Sequence, residues 1–205
     1  LGQYGPGMVD GAEVAGYREE PGVSSSSLIP TFAMMRVFID NWRWRGIPFY
    51  LVSGKRLARK MTRIVVQFKR VPHSMFQNVL GEEILANRLV LGIYPEERIT
   101  LTFQTKYPGA RNCLRPVTLD FSYDQNYRGP TLETYEKVLL DCIQGDQMLF
   151  WSNNGVRLSW SFLTPILQEC ETCGDRGARL HPYDSGSWGP EAAQKWMKLI
   201  IDDAQ

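Results

Sequence analysis

The chain has 205 residues, of which 43% are hydrophobic and 22% are charged, and its formal net charge is +1. This composition is typical of a globular protein, and we expect a single domain over residues 1–205. It argues against a membrane-spanning protein, because no apolar run approaches the roughly 20 residues that a bilayer helix needs. Four cysteines are too few for a disulfide scaffold, so we expect a reducing, cytoplasmic location.

The first two thirds of the chain have the pattern of β-strands. Six strands are predicted, at residues 31–40, 47–53, 63–69, 88–94, 98–105 and 117–123. In the strand at 98–105, the apolar residues Ile99, Leu101 and Phe103 alternate with polar ones. Residues 1–7, which hold three glycines, are interpreted as a loop without the features of a signal peptide. Because the links between the strands are short, we expect antiparallel neighbours in one large sheet.

The last third of the chain predicts three helices. The first should run from Thr131, as N-cap, to Gly145, the second should begin near Asn153 and bend at Pro165, and the third should begin at Pro190. Their apolar stripes should face the interior, namely Leu132, Tyr135, Val138, Leu139, Cys142 and Ile143, then Val156, Trp160, Leu163 and Leu167, then Ala193, Trp196, Met197 and Ile200. Strands followed by helices indicate an α+β fold.

One segment concentrates positive charge, since no acidic residue lies between Asp40 and Glu82. The interval holds nine basic residues, Arg43, Arg45, Lys55, Arg56, Arg59, Lys60, Arg63, Lys69 and Arg70. Some of them, notably Arg56, Arg63, Lys69 and Arg70, are best explained as a solvated face that prevents strand-edge pairing. Charge alone leaves two further interpretations open: a nucleic-acid surface with Trp42 and Trp44 as stacking platforms, or a site for a small anionic substrate near Lys55 and Lys60.

The chain offers little material for catalysis by its own residues. The histidines are His73 and His181, and both are interpreted as structural residues in turns or loops. Cys170 and Cys173 form a C-x-x-C sequence, but no second pair completes a zinc site, so no metal is expected. Neither a Walker loop nor a G-x-G-x-x-G sequence after a strand is present. No catalytic residue is therefore assigned within the chain.

Several long motifs resemble the C-terminal domain of bacterial glucose-6-phosphate dehydrogenases. They are the run 31–57 with its continuation 66–69, the segments 16–23 and 135–141, Gly145-Asp-Gln, and Gly186-Ser-Trp-Gly-Pro190. Together they cover nearly the whole chain in order. The resemblance implies a large, mainly antiparallel β-sheet with helices packed on one face.

The resemblance also implies an activity for the full-length enzyme. It would oxidise glucose 6-phosphate to the 6-phosphogluconolactone and pass the hydride to NADP, in the pentose phosphate pathway. In that family the catalytic residues and the main phosphate-binding cluster belong to an N-terminal Rossmann domain, and this chain contains none of those motifs. The isolated chain is therefore expected to be inactive. The alternative is a non-catalytic module that self-associates or binds anions.

The resemblance assigns roles to individual residues. Lys55 and Lys60 match the two basic substrate-binding positions of this domain and would bond to the sugar hydroxyls. Tyr94 stands where the family usually has a glutamine that contacts the sugar, and Gly92 where it has an arginine. Positions that hold a second, structural NADP in animal members lack the required chemistry, so no nucleotide is expected here: Val52, Met61, Val65, Gly92, Thr100 and Thr102.

The implied partners are glucose 6-phosphate, a second copy of the chain bound through the β-sheet, and the Rossmann domain. No nucleic acid and no membrane are expected as partners.

Overall fold

The computed structural model describes residues 1–71, 84–109, 113–127, 129, 132–172 and 174–201. It divides into two compact units. The terminal unit comprises Leu1–Arg59 and Leu132–Gln205, and the middle unit comprises Lys60–Thr131. His73, Cys173 and the side chain of Cys170 lie outside what the structure describes, so the interpretations of these three side chains stay predictions.

The terminal unit is built on a five-stranded sheet. Strands β2, β1, β3 and β4 are hydrogen-bonded in that order, and β9 also pairs with β1. The strands are β1 (Gly2–Val9), β2 (Ala12–Val14), β3 (Phe32–Phe38), β4 (Pro48–Gly54) and β9 (His181–Ser185). The pairs are antiparallel except for β1 with β9, which is parallel. The two ends of the sequence thus meet in one sheet.

Two of these strands correct the sequence interpretation. Residues 1–7 are not a loop, because most of them lie in β1, and His181 begins β9 rather than lying in a loop. Glycines and prolines hid the alternation that reveals a strand. At Gly7 a glycine is required by close approach, since a Cβ there would lie 2.3 Å from the carbonyl oxygen of Ser185.

The middle unit contains a four-stranded antiparallel sheet with the strands in chain order. They are β5 (Thr62–Gln67), β6 (Arg88–Tyr94), β7 (Arg98–Lys106) and β8 (Leu114–Ser122), followed by the short helix α1 (Tyr123–Asn126). The six predicted strands and their mainly antiparallel pairing are confirmed. The strands belong to two hydrogen-bonded sheets rather than one. Alternation predicts where a strand lies, but it does not predict which strand is its partner.

The three predicted helices are present as α2 (Thr134–Gln144), α3 (Asn153–Thr172) and α4 (Gln194–Ile201). Helix α2 has Glu133, not Thr131, at its N-cap, and it ends at Gly145 with the left-handed φ of 71°. Pro165 lies inside α3 as expected. Pro190 precedes a short 3₁₀ turn, Glu191–Ala193, that leads into α4. None of the helices in the described part of the chain is long and apolar enough to cross a membrane.

The buried core lies in the terminal unit, around Tyr4, Phe32, Tyr183, Ala193 and Met197. The expectation that α4 and the turn before it bury an apolar stripe is therefore confirmed. The same expectation is wrong for α2 and α3 within this chain, since Tyr135 and Ile143 are 83% exposed and Trp160 is 58% exposed. Periodicity identifies the face that favours burial, but it does not identify what covers that face.

Candidate functional site

Lys55 lies in the terminal unit, on the turn that follows β4, and its backbone is held from both sides. Its N–H donates to the carbonyl oxygen of Thr31 at 2.9 Å. Its carbonyl oxygen accepts a hydrogen bond of 2.8 Å from the hydroxyl of Tyr183. The Tyr183 side chain is buried, and this burial raises the pKa of its phenol, which favours the protonated donor. The Lys55 side chain itself is exposed.

The hydrogen bond to Lys55 is the last of a chain that crosses the sheet. The N–H of Tyr4 donates to Oγ1 of Thr31 at 3.0 Å, and this hydroxyl lies 3.0 Å from the hydroxyl of Tyr183. If Tyr183 donates to Lys55, Thr31 must be the donor to Tyr183, because each hydroxyl has one proton. The order of donors is therefore Tyr4, Thr31, Tyr183, and the final acceptor is Lys55.

Arg56, the neighbour of Lys55, is held by contacts with other residues of the terminal unit. It has a positive φ of 52°, and its carbonyl oxygen accepts from the N–H of Gly186 at 2.8 Å. Its guanidinium binds Glu20 at 2.9 Å and lies 5.9 Å from the ring centroid of Tyr4. The charge of Arg56 is thus compensated within the fold. Among the described residues, no ion pair compensates the charge of Lys55.

Lys60 lies in the middle unit, where its ammonium nitrogen is 5.1 Å from the ring centroid of Tyr94. Tyr94 ends β6, pairs with Thr62 of β5 and is 48% exposed. The structure therefore brings Lys60 and Tyr94, two of the three predicted site residues, together. Lys55 belongs to the terminal unit, so the expectation that both lysines contact one ligand stays a prediction.

The structure gives a reason for glycine at position 92 that the sequence did not indicate. A Cβ at this position would lie 2.7 Å from the carbonyl oxygen of Glu96, in the tight connection between β6 and β7. Such a distance is shorter than real side chains show, so the connection would have to move. Beyond this turn, Arg98 binds Asp120 with a hydrogen bond of 2.6 Å from Nε, which raises the pKa of Arg98 and lowers that of Asp120.

The terminal unit also has an open cleft of about 380 Å³ that was not predicted. It is lined by Leu1, Phe32, Met34, Arg36, Tyr50, His181, Pro190, Ala192, Ala193 and Trp196. Tyr50 and Trp196 stack in its wall with ring centroids 4.8 Å apart. These residues come from distant parts of the chain, so no local sequence signal marks them. No metal-ligand cluster occurs among the residues that the structure covers.

Comparison with known proteins gives a consistent result. The family model for the glucose-6-phosphate dehydrogenase C-terminal domain matches residues 1–200. Glucose-6-phosphate 1-dehydrogenase of Chlamydia pneumoniae is 43% identical over 197 residues, which cover 94% of this chain and 38% of the relative. That of Aggregatibacter actinomycetemcomitans is 42% identical over 195 residues, covering 95% and 38%. The chain thus spans about two fifths of the length of these relatives.

Solved structures of glucose-6-phosphate dehydrogenases also resemble this chain. A glucose-6-phosphate dehydrogenase in complex with its substrate glucose-6-phosphate has a TM-score of 0.84 and 30% identity, covering 100% of this chain and 41% of that one. Glucose-6-phosphate 1-dehydrogenase from Mycobacterium avium has a TM-score of 0.69 and 32% identity, covering 93% and 37%.

Proposed function

Because the chain belongs to the glucose-6-phosphate dehydrogenase family, as its C-terminal domain, we propose that it is the substrate-binding half of an enzyme that oxidises glucose 6-phosphate to 6-phosphogluconolactone. The observation that carries this proposal is the identity of 43% with a glucose-6-phosphate 1-dehydrogenase across 94% of the chain. The same proposal includes NADP as hydride acceptor and a cytoplasmic role in the pentose phosphate pathway.

The coenzyme and the catalytic residues are assigned to a domain outside these 205 residues. In support, the relatives extend well beyond the part that this chain matches. The exposed apolar faces of α2 and α3 are also consistent with further protein covering them, because single-chain proteins rarely leave large apolar patches open. The 205-residue chain alone should therefore reduce no NADP.

Within this half, Lys55 and Lys60 are proposed to donate hydrogen bonds to the substrate. The arrangement around Lys55 supports this role, because its backbone is fixed by Thr31 and Tyr183 while its exposed ammonium has no ion-pair partner among the described residues. An ammonium without a competing carboxylate can bond to a sugar hydroxyl or to a phosphate at little cost.

The test is steady-state kinetics of the full-length protein that contains this chain. Lys55→Ala and Lys60→Ala should each raise the KM for glucose 6-phosphate by about tenfold or more, the size of a lost hydrogen bond to a charged group. The KM for NADP should not change. Lys198→Ala, at an exposed lysine of α4, is the matched control. Unchanged substrate KM in both variants, or NADP reduction by the isolated chain, would contradict the proposal.

We further propose that two copies associate through the sheet of the middle unit. Directly opposed residues share a face of a sheet, and the register places ten apolar residues on one face of β5–β8. They are Ile64, Val66, Leu89, Leu91, Ile99, Leu101, Phe103, Val117, Leu119 and Phe121. Ile64 and Leu119 are 51% and 57% exposed. An apolar sheet face with this exposure supports a protein partner, for which the second copy is our assignment.

A further inference from the structure

We propose that Tyr94 is a positioning residue for Lys60, and that its ring directs the Lys60 ammonium toward the substrate. This inference rests on the proposed function, which assigns substrate binding to Lys60. The carrying observation is the distance of 5.1 Å between the Lys60 nitrogen and the ring centroid of Tyr94. A cation within about 6 Å of an aromatic centroid is attracted by the negative face of the ring.

A bulge in β6 aims the Tyr94 side chain. Thr62 pairs with Tyr94, but the next residue, Arg63, pairs with Gly92, so Ile93 is an extra residue in β6. In a regular strand, positions 92 and 94 would share a face. The extra residue reverses this, and Tyr94 shares the face of Thr62 instead. Bulges commonly redirect a side chain next to a functional site.

The connection after β6 holds this geometry in place. Gly92 allows the carbonyl oxygen of Glu96 to approach closely, as its 2.7 Å distance from a notional Cβ shows. Arg98, at the start of β7, is tied to Asp120 and to Glu96, the latter at 3.5 Å. The end of β6 is also held by pairing with β5 on one side and β7 on the other. The Lys60 side chain, by contrast, is exposed and needs a partner to limit its rotamers.

The experiment is a double-mutant cycle on the full-length protein, with KM for glucose 6-phosphate and kcat as readouts. Tyr94→Leu should raise the KM by about two- to fivefold, the size of an exposed cation–π contact, and should leave kcat nearly unchanged. In a Lys60→Ala background the same substitution should have no further effect. Tyr107→Leu, at a tyrosine that is 54% exposed in the same unit, is the matched control.

Tyr94→Phe separates the ring from the hydroxyl. It should bind substrate like the unmodified protein, because the ring face is retained. If Tyr94→Phe loses as much affinity as Tyr94→Leu, the hydroxyl contacts the substrate directly and the positioning role is wrong. Additive effects of Tyr94→Leu and Lys60→Ala would also overturn the inference. If Lys60→Ala alone leaves the KM unchanged, the proposed function of Lys60 fails instead.

Discussion

The buried hydroxyl of Tyr183 donates a hydrogen bond of 2.8 Å to the carbonyl oxygen of Lys55. It connects β9, near the end of the sequence, to the turn that presents a proposed substrate-binding lysine. Together with Thr31 it fixes the Lys55 backbone from two directions. The position of Lys55 is therefore a property of the terminal unit's core rather than of the turn alone.

Tyr183→Phe tests this connection, since it removes the hydroxyl and keeps the ring. We expect a loss of about 1–2 kcal/mol in the free energy of unfolding, because the carbonyl of Lys55 and the hydroxyl of Thr31 each lose a partner. The KM for glucose 6-phosphate should rise as well. Chemical denaturation and kinetics of the full-length protein measure the two effects. Tyr107→Phe, at a tyrosine of the middle unit that is 54% exposed, should change neither. Wild-type stability in Tyr183→Phe would show that the hydrogen bond does not hold the turn.

The hydroxyl of Tyr183 should also make the stability of the fold depend on pH in the alkaline range. Burial raises the pKa of Tyr183 above 10.0, so above that pH the unfolded chain releases the phenol proton before the folded chain does. The contribution of Tyr183 to stability is therefore present below pH 10 and is lost as the pH rises through the raised value. The difference in melting temperature between the wild type and Tyr183→Phe should shrink above about pH 10. A difference that stays constant to higher pH would contradict the assigned direction.

The sequence predicted the strands, but it did not predict the contacts that support Lys55 and Lys60. Alternating side chains marked β5, β7 and β8, because each of these strands has one face more apolar than the other. The hydrogen bond from Tyr183 to Lys55 joins residues 128 positions apart, and β9 shows no alternation, so no local pattern could reveal this support. The contact of Lys60 with Tyr94 depends on a bulge in β6, which periodicity does not indicate.

The proposed self-association is tested by a charge on the apolar face of the middle unit's sheet. Leu119→Arg should convert a dimer to a monomer, because an unpaired guanidinium would be buried against apolar residues. The matched control is Thr118→Arg, which places the same side chain on the opposite face of β8. Sedimentation of the full-length protein measures both. A Leu119→Arg variant that remains dimeric would show that the second copy binds elsewhere.

Gly92→Ala tests whether the connection after β6 supports the Lys60 site. The added Cβ would lie 2.7 Å from the carbonyl oxygen of Glu96, and backbone must shift to relieve this contact. We expect a cost of about 1–3 kcal/mol in the free energy of unfolding, as for overpacked positions. The KM for glucose 6-phosphate should also rise, because Tyr94 lies two residues further along β6.

The control for Gly92→Ala is Gly155→Ala in α3, where the nearest atom to an added Cβ is Oγ of Ser152 at 3.4 Å. Alanine is favoured over glycine inside a helix by about 1 kcal/mol, so this variant should be as stable as the wild type or more stable. A general sensitivity of the protein to added methyl groups would affect both variants. A KM change confined to Gly92→Ala would therefore assign the effect to the close approach between β6 and Glu96. If Gly92→Ala is stable but binds substrate normally, the connection does not position the Lys60 site.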